Sequence, residues 1–187
     1  NHETELLGTA GTLKRNAVLF KDKLTLLIHA DNWCQCDFSE FINHHVNKRS
    51  KGTLITMMTF TTQDPKECGV VELNDDVVIG FHEKVKKPPS NVANAAVYIL
   101  EPAIIDWIQE QKEISDFSNH VLPNFIGKIS AWHNYNIHRD IGSFENLYRA
   151  QSDKRPKVVW NRQDQWHKDF LVNPIHSKVK ALEETYG

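Results

Sequence analysis

Short apolar runs alternate with amphipathic segments along the first 150 residues. Residues 25–30 form a compact apolar run followed at once by polar residues, which predicts a buried strand delivering its end to a site. Residues 38–46 carry apolar positions at helical spacing, with Asp37 or Ser39 as a plausible N-cap. Residues 53–60 predict a second strand. This strand–helix–strand order predicts a right-handed crossover and a parallel sheet.

The pattern of apolar and polar residues changes after residue 68. Two alternating runs, 69–73 and 77–83, flank the turn 74–76 and predict a β-hairpin. The paired prolines 88 and 89 exclude a helix from the following loop. The remaining predicted elements are strands over 93–100 and 129–137 and helices over 102–111, 116–126 and 143–150, with Asp116 capping the second of these helices.

The pattern weakens from residue 151 onward. The segment is polar, is interrupted by Pro156 and carries Trp160 and Trp166, which predicts a linker or a packing arm. The last 11 residues predict a short amphipathic helix. We therefore expect one domain over residues 1–150 and a C-terminal extension over 151–187.

Composition excludes some function classes. A formal charge of −2 provides no basic field for nucleic acid. No apolar run approaches the roughly 20 residues of a membrane span, and the N-terminus does not resemble a secretory signal. Cys34 and Cys36 could bind a soft metal, but a closed zinc site needs four ligands. We expect reduced thiols in a loop.

Four local patterns carry candidate chemistry, and each has a purely structural alternative. Gly8 to Gly11 (GTAG) could let a ligand approach the backbone at the start of a helix, or could be a simple turn. Asp31, after the first strand, could bind Mg²⁺ or cap a turn. Asp140, before a Gly-Ser helix start, could bind the same ion or stabilise that helix. Glu83 and Lys84 could hold a sugar hydroxyl and a phosphate, or form a solvated charge pair.

The order of these patterns is more specific than any one of them. In sequence, LGTAG, HAD, CGVVEL, FHEK, NVANAAVY and RDIGS resemble the motifs of the nucleotide-sugar pyrophosphorylase family over residues 7–150. The branch that the chain most resembles is the heptose-1-phosphate or mannose-1-phosphate guanylyltransferases. The resemblance implies an α/β, Rossmann-like, doubly wound and mostly parallel sheet with a β-hairpin sugar-binding part.

The resemblance also implies an activity: a sugar 1-phosphate and an NTP, GTP in this branch, give an NDP-sugar and pyrophosphate. Such a product serves cell-surface polysaccharide assembly, and we expect a cytoplasmic enzyme. The residues that match the family's motifs are Gly8, Thr9 and Ala10 for the nucleotide, Asp31 and Asp140 for Mg²⁺, Gly69, Glu83 and Asn94 for the sugar, and Lys84 for the sugar phosphate.

Some family features are not in this sequence. The Gly-rich triphosphate loop that precedes LGTAG in the family is absent, as are the first strand and helix of the fold. Three expectations follow: an incomplete catalytic chain, a partner or second copy that supplies the missing unit, or a non-catalytic homologue that binds sugar phosphates or nucleotide sugars. A pure interaction protein that uses its tryptophan-bearing arm is a further alternative.

Overall fold

The computed structural model describes residues 3–154, 165–174, 177 and 181. The chain divides into two compact units, Asn1–Asp153 and Lys154–Gly187. The helices are α1 (Gly8–Arg15), α2 (Phe38–Arg49), α3 (Pro102–Glu110), α4 (Phe117–His120), α5 (Phe144–Gln151) and, in the second unit, α6 (Gln165–Val172). The strands are β1 (Thr25–Ile28), β2 (Asn32–Cys34), β3 (Ile55–Thr61), β4 (Gly69–Asn74), β5 (Val77–Glu83), β6 (Val92–Leu100), β7 (Ile129–His133) and β8 (His138–Asp140).

Six strands form a mixed sheet in the order β1-β6-β3-β7-β5-β4, and β2 pairs with β8 in a separate two-stranded sheet. The sheet is mixed, whereas the sequence predicted a mostly parallel one. Strands β1 and β3 run in the same direction, as the crossover predicts, but β6 lies between them and pairs antiparallel with both. Among the described strand pairs, β3 with β7 is the parallel one.

Apolar residues cover both faces of this sheet, as expected for a doubly wound α/β fold. One face packs Met57, Tyr98 and Leu100 against α1, α3 and α4. The other face packs Met58, Val97 and Ile99 against Phe41 of α2. Alternation along β3 and β6 thus supplies both cores from the same strands.

Two predicted elements end earlier than the pattern suggested. The helix predicted over 116–126 stops at His120 and continues as a 3₁₀ helix over Leu122–Phe125, because Pro123 cannot extend an α-helix. Asp116 nevertheless caps it, accepting from the Asn119 N–H at 2.6 Å. The strand predicted over 129–137 breaks after His133, where the Asn134 side chain accepts from the Asn136 N–H and forms a turn.

The C-terminal predictions are described only in part. Residues 155–164, including Trp160, and most of the predicted terminal helix lie outside the described residues. The apolar side chains of α5 are exposed, with Phe144 at 84% and Tyr148 at 72%. No helix in the described part of the chain is long and apolar enough to cross a bilayer.

A buried polar network ties α2 to the sheet. His45, completely buried, hydrogen-bonds Thr56 of β3 through Nδ1 (2.9 Å) and Glu101 through Nε2 (3.1 Å). Thr56 in turn contacts Ser130 of β7 at 2.9 Å, and Arg49 pairs with the same Glu101 oxygen at 3.0 Å. The polar groups satisfy one another, so removing one member takes a hydrogen-bond partner from each of its neighbours.

Replacing His45 with alanine should therefore lower the free energy of unfolding by about 2–4 kcal/mol, because packing and two buried hydrogen bonds are lost. Urea denaturation measures this. Asn43→Ala, at an exposed position of the same helix, is the matched control and should change stability by less than about 0.5 kcal/mol. Similar losses in both variants would contradict the role of the network.

His45 should also make stability depend on pH. Burial lowers the pKa of His45, although the neighbouring Glu101 charge opposes that effect. The unfolded chain, with a His pKa of about 6.5, then binds more protons than the folded chain as pH falls below that value, so stability is lost on acidification. The urea midpoint should fall more between pH 7 and pH 5 for the parent than for His45→Gln. Burial also lowers the pKa of His44 and His133, and equal slopes would assign the whole effect to groups other than His45.

Candidate active site

Two carboxylates far apart in sequence meet at the small β2–β8 sheet. Asp31 lies three residues beyond the end of β1 and directly precedes β2, while Asp140 ends β8. The two strands are antiparallel with Asn32 opposite Asp140, and the Ile141 N–H donates to the Asp31 carbonyl at 2.8 Å. The short ladder therefore holds the two aspartates side by side.

Gly142 shows how close the carboxylates are. A Cβ built on this residue would lie 2.9 Å from Asp140 Oδ1 and 3.6 Å from Asp31 Oδ2. Oxygens of both carboxylates thus lie within 4 Å of one point, and both residues are exposed. Hard oxygen ligands with room for waters and phosphate oxygens fit Mg²⁺. No cluster of three or more His, Cys, Asp or Glu ligands occurs within the described residues, so phosphate or water oxygens would complete the coordination.

The Asn32 side chain anchors this ladder to the large sheet. Its Nδ2 donates to the Ala95 carbonyl at 2.8 Å and lies 3.4 Å from that of Ala96. Ala96 has a left-handed backbone (φ 52°) at an irregularity in β6. The irregular backbone thus presents carbonyls that a regular strand would use in its ladder.

The end of the β4–β5 hairpin places a second carboxylate. Gly69 lies opposite Glu83, and a Cβ on Gly69 would be 2.5 Å from Glu83 Oε2 and 2.8 Å from the Phe81 ring. Only glycine leaves this space for the carboxylate. Directly after β5, Lys84 takes a left-handed backbone (φ 48°), which reorients the chain at the strand end.

Burial raises the pKa of Glu83, with the nearby Lys84 charge opposing and Asp116 reinforcing the effect. A carboxylate that is desolvated in this way gains from hydrogen-bond donors such as hydroxyl groups. Lys84 itself is exposed. The two side chains thus share one end of the hairpin.

Both polar atoms of the Asn94 side chain form hydrogen bonds within the protein. Its Nδ2 donates to the Tyr98 hydroxyl at 2.6 Å, and its Oδ1 accepts from the Ala96 N–H at 3.0 Å. Burial raises the pKa of Tyr98 to about 12, so the phenol is protonated at neutral pH. The Tyr98 ring packs on Phe117 with centroids 4.9 Å apart.

The GTAG segment is the first turn of α1 rather than a turn preceding it. Gly8 has φ 74°, and a Cβ there would be 2.5 Å from the Ser115 carbonyl oxygen. That oxygen accepts from the Ala10 N–H at 2.8 Å, and Thr9 Oγ1 accepts from the Phe117 N–H at 2.9 Å. Ala10 is fully buried in the core, so the helix start is used largely for packing.

A cleft of about 680 Å³ nevertheless connects two of the predicted groups. Gly8 and Thr9 line it at one side, and the β1 strand with Asp31 lines it at the other, whereas Ala10 does not. The structure therefore brings Gly8, Thr9 and Asp31 to a common cleft and Asp31 to Asp140.

Three residues of the site were not assigned to it from sequence: Asn32, Tyr98 and Asp116. Alternation along β6 places Tyr98 on the face of Asn94, so the strand period could have identified it. Asn32 stands in the motif HADN, but its amide finds Ala95 only through the irregularity in β6. Asp116 was expected solely as a helix cap.

Comparison with known proteins identifies the family of this chain. A model of the family described as nucleotidyl transferase matches residues 1–156. The chain belongs to the nucleotidyl transferase family.

Curated members of the family are similar over most of the chain. A glucose-1-phosphate adenylyltransferase of Desulfitobacterium hafniense (strain Y51) is 27% identical over 93% of this chain and 48% of its own length. A mannose-1-phosphate guanylyltransferase of Mycobacterium tuberculosis (strain ATCC 25618 / H37Rv) is 26% identical over 81% of this chain and 42% of its own. The chain thus spans about half the length of the curated relatives it matches.

Solved structures share the fold. HddC from Yersinia pseudotuberculosis, in a complex with GMP-PN, is 25% identical with a TM-score of 0.64, covering 79% of this chain and 63% of that one. A Bacillus anthracis protein solved in complex with sucrose is 19% identical with a TM-score of 0.69, covering 83% and 65%. The α/β architecture of this nucleotidyl transferase chain is therefore that of its family.

Adding one methyl group at Gly69 should disturb the hairpin end. Gly69→Ala forces Glu83 and Phe81 to move, and we expect a loss of about 1–3 kcal/mol in unfolding free energy, measured by urea denaturation. Gly80→Ala, in the same hairpin, is the control because its Cβ would meet the exposed Glu72 and half-buried His82 side chains, which can shift at the surface. Equal effects at both positions would mean that the space opposite Glu83 is not restricted.

Proposed function

We propose that the intact protein is a sugar-1-phosphate nucleotidyltransferase that makes an NDP-sugar and releases pyrophosphate. The observation that supports this most directly is the meeting of Asp31 and Asp140 beside a cleft, in a chain of this family. The finer proposal is a GDP-sugar, GDP-heptose or GDP-mannose. The sequence motifs favour it, as do a guanylyltransferase relative and a related structure solved with GMP-PN.

In the proposed reaction, a phosphate oxygen of the sugar 1-phosphate attacks the α-phosphorus of the NTP. A bond forms between that oxygen and the α-phosphorus, the α–β bridging bond breaks, and pyrophosphate leaves with the electron pair. The protein mainly positions the two anionic reactants and neutralises their charge. Mg²⁺, held by Asp31 and Asp140, would supply positive charge next to the phosphates.

The other residues of the site bind either the sugar 1-phosphate or the nucleotide. Glu83 accepts hydrogen bonds from sugar hydroxyls, since its carboxylate is partly desolvated. Lys84, at the same strand end, contacts the sugar phosphate. Gly8 and Thr9 face the base and ribose across the cleft. Asn94, held by hydrogen bonds to Tyr98 and Ala96, shapes the wall of the sugar pocket. Because both reactants are cytoplasmic metabolites, we place the enzyme in the cytoplasm.

Ligand-induced stabilisation tests the binding part of this proposal. GDP-mannose, GDP-heptose, UDP-glucose and dTDP-glucose are each titrated with Mg²⁺ while the melting temperature is recorded. A ligand at 100 times its Kd should add about 2.7 kcal/mol of stability, and we expect a GDP-sugar to be effective at the lowest concentration. A preference for UDP- or dTDP-glucose would reject guanine, while no response to any of the four would contradict the site.

The carboxylate pair is tested separately. Asp31→Asn and Asp140→Asn should each weaken Mg²⁺-dependent ligand binding by at least about tenfold, whereas Glu110→Gln, an exposed position on α3, should not. Pyrophosphate release by the product of the complete reading frame should be lost in Asp31→Asn. Binding without turnover in that complete product would favour a nucleotide-sugar-sensing protein over an enzyme.

A further inference from the structure

A salt bridge between Arg139 and Asp153 lies next to the carboxylate pair. Arg139 directly precedes Asp140 in β8, and its Nε and Nη2 donate to the two Asp153 oxygens at 2.6 and 2.8 Å. The Asp153 side chain is 8% exposed and that of Arg139 is 30% exposed. A two-pronged and largely buried pair of this kind has a fixed geometry, unlike a flexible ion pair at the surface.

The salt bridge lies on the opposite face of the small sheet from the Asp140 carboxylate. Successive side chains of a strand point to opposite faces, so Arg139 and Asp140 point in opposite directions from β8. Asn32, which is paired with Asp140, shares its face and donates to the main sheet. The ladder is therefore held by Asn32 on one face and by Asp153 on the other, and the salt bridge does not occupy the Asp140 carboxylate.

The backbone of this ladder needs such support because it is short. Strands β2 and β8 pair over three residues, and an isolated two-stranded ribbon is marginally stable at best in water. At the end beside the carboxylates, the Ile141 N–H donates to the Asp31 carbonyl at 2.8 Å. Opening of this end would separate the backbone segments that carry Asp31 and Asp140.

The segment that follows Asp140 is not held by a hydrophobic core. It turns at Gly142, whose N–H donates to Asp140 Oδ1 at 2.8 Å, and continues as α5. Along α5, all of which the structure describes, no residue is buried. The salt bridge connects Asp153, beyond the end of α5, to Arg139, 14 residues earlier in the chain. It thus closes a loop that contains Asp140, the turn and α5.

We propose that Arg139 and Asp153 are a positioning pair that holds the β2–β8 ladder closed and thereby keeps Asp140 beside Asp31. This inference rests on the proposed function, because it gives the pair a role in the divalent ion site. Neither side chain is a ligand of the ion. Both act through the backbone of β8, so their removal weakens ion binding although both carboxylates remain. A salt bridge that only stabilised the fold would leave the ion affinity of the folded protein unchanged.

Asp153→Asn in the full chain tests whether the pair closes the ladder, because it removes the charge and keeps the shape of the side chain. Amide hydrogen exchange of Ile141 reports opening of the ladder. It should become at least about tenfold faster than in the parent, since a charge-assisted hydrogen bond to a largely buried carboxylate is weakened. The amides of β3 should remain slower than that of Ile141, which shows that the opening is local.

Ion affinity is the second readout. Binding of Mn²⁺ alone, as a paramagnetic substitute for Mg²⁺, is measured by electron paramagnetic resonance. Asp153→Asn should raise the Kd for Mn²⁺ about tenfold, as loss of a supporting group around a metal site does. Arg139→Lys keeps the charge but not the two-pronged geometry, so its Kd should lie between those of the parent and Asp153→Asn. The double variant Arg139→Gln/Asp153→Asn should bind no more weakly than the weaker single variant, because both substitutions remove the same interaction.

Glu145→Gln is the matched control. It removes a salt bridge from Arg149 to Glu145 (2.6 Å) that lies within the same loop but is exposed. Both the exchange rate of Ile141 and the Kd for Mn²⁺ should stay within about twofold of the parent values.

Unchanged exchange at Ile141 in Asp153→Asn, or an equal change in Glu145→Gln, would overturn the proposal. Faster exchange with an unchanged Kd for Mn²⁺ would also overturn it, because the pair would then be purely structural. If the parent binds no Mn²⁺, the proposed ion site fails, whereas faster exchange at Ile141 still supports the role of the pair in closing the ladder. Circular dichroism checks the folding of each variant, and if Asp153→Asn does not fold, the same two readouts in Arg139→Lys decide.

Discussion

The hydrogen bonds from the Asn32 amide to the β6 backbone are the constraint on which the candidate site depends. Asp31 lies beyond the end of β1, where the main sheet no longer fixes the chain. Asn32 restores that restraint by donating to Ala95 and Ala96, while its backbone begins the ladder opposite Asp140. One residue thus links the large sheet, the small sheet and both carboxylates.

Polar side chains around the site divide into two groups. Thr9 and Asn94 use their hydrogen-bonding capacity within the protein and form a frame. Glu83 is desolvated and Asp31 is exposed. The frame limits movement, and the second group provides charge for a ligand. Such a division is expected where binding depends on preorganised groups rather than on rearrangement.

Much of the local structure could be predicted from the sequence, because it depends on neighbours along the chain. The hairpin over β4 and β5, the Asp37 cap of α2 and the strand that precedes Asp31 follow from period and turn chemistry. The convergence of Asp31 and Asp140 rests on motif order, because their spacing of more than 100 residues defines no local geometry. Their relation is fixed by a three-pair ladder that pattern alone does not reveal.

Other features were beyond the sequence because they depend on the register of distant strands. The insertion of β6 between β1 and β3 follows from pairing choices that local periodicity does not determine. The pairing of Cys34 with His138 also depends on the register of distant strands. From the sequence alone we therefore expected the cysteines to lie in a loop. The packing of the GTAG segment could not be predicted either, because the Ser115 carbonyl that accepts from the Ala10 N–H at the start of α1 comes from a distant segment.

The irregularity in β6 affects which face of the sheet each side chain of that strand reaches. Met57 pairs with Tyr98 and Thr59 with Asn94, so four steps along β6 correspond to two along β3. β6 therefore has two more residues than β3 in this stretch. Because two is an even number, the alternation of side chains between the two faces of the sheet is the same before and after the irregularity. Tyr98 and Leu100 reach one core while Ala95, Val97 and Ile99 reach the other. One extra residue would have moved each side chain beyond the irregularity to the opposite face of the sheet. With two extra residues, the backbone can deviate toward Asn32 while both cores keep their side chains.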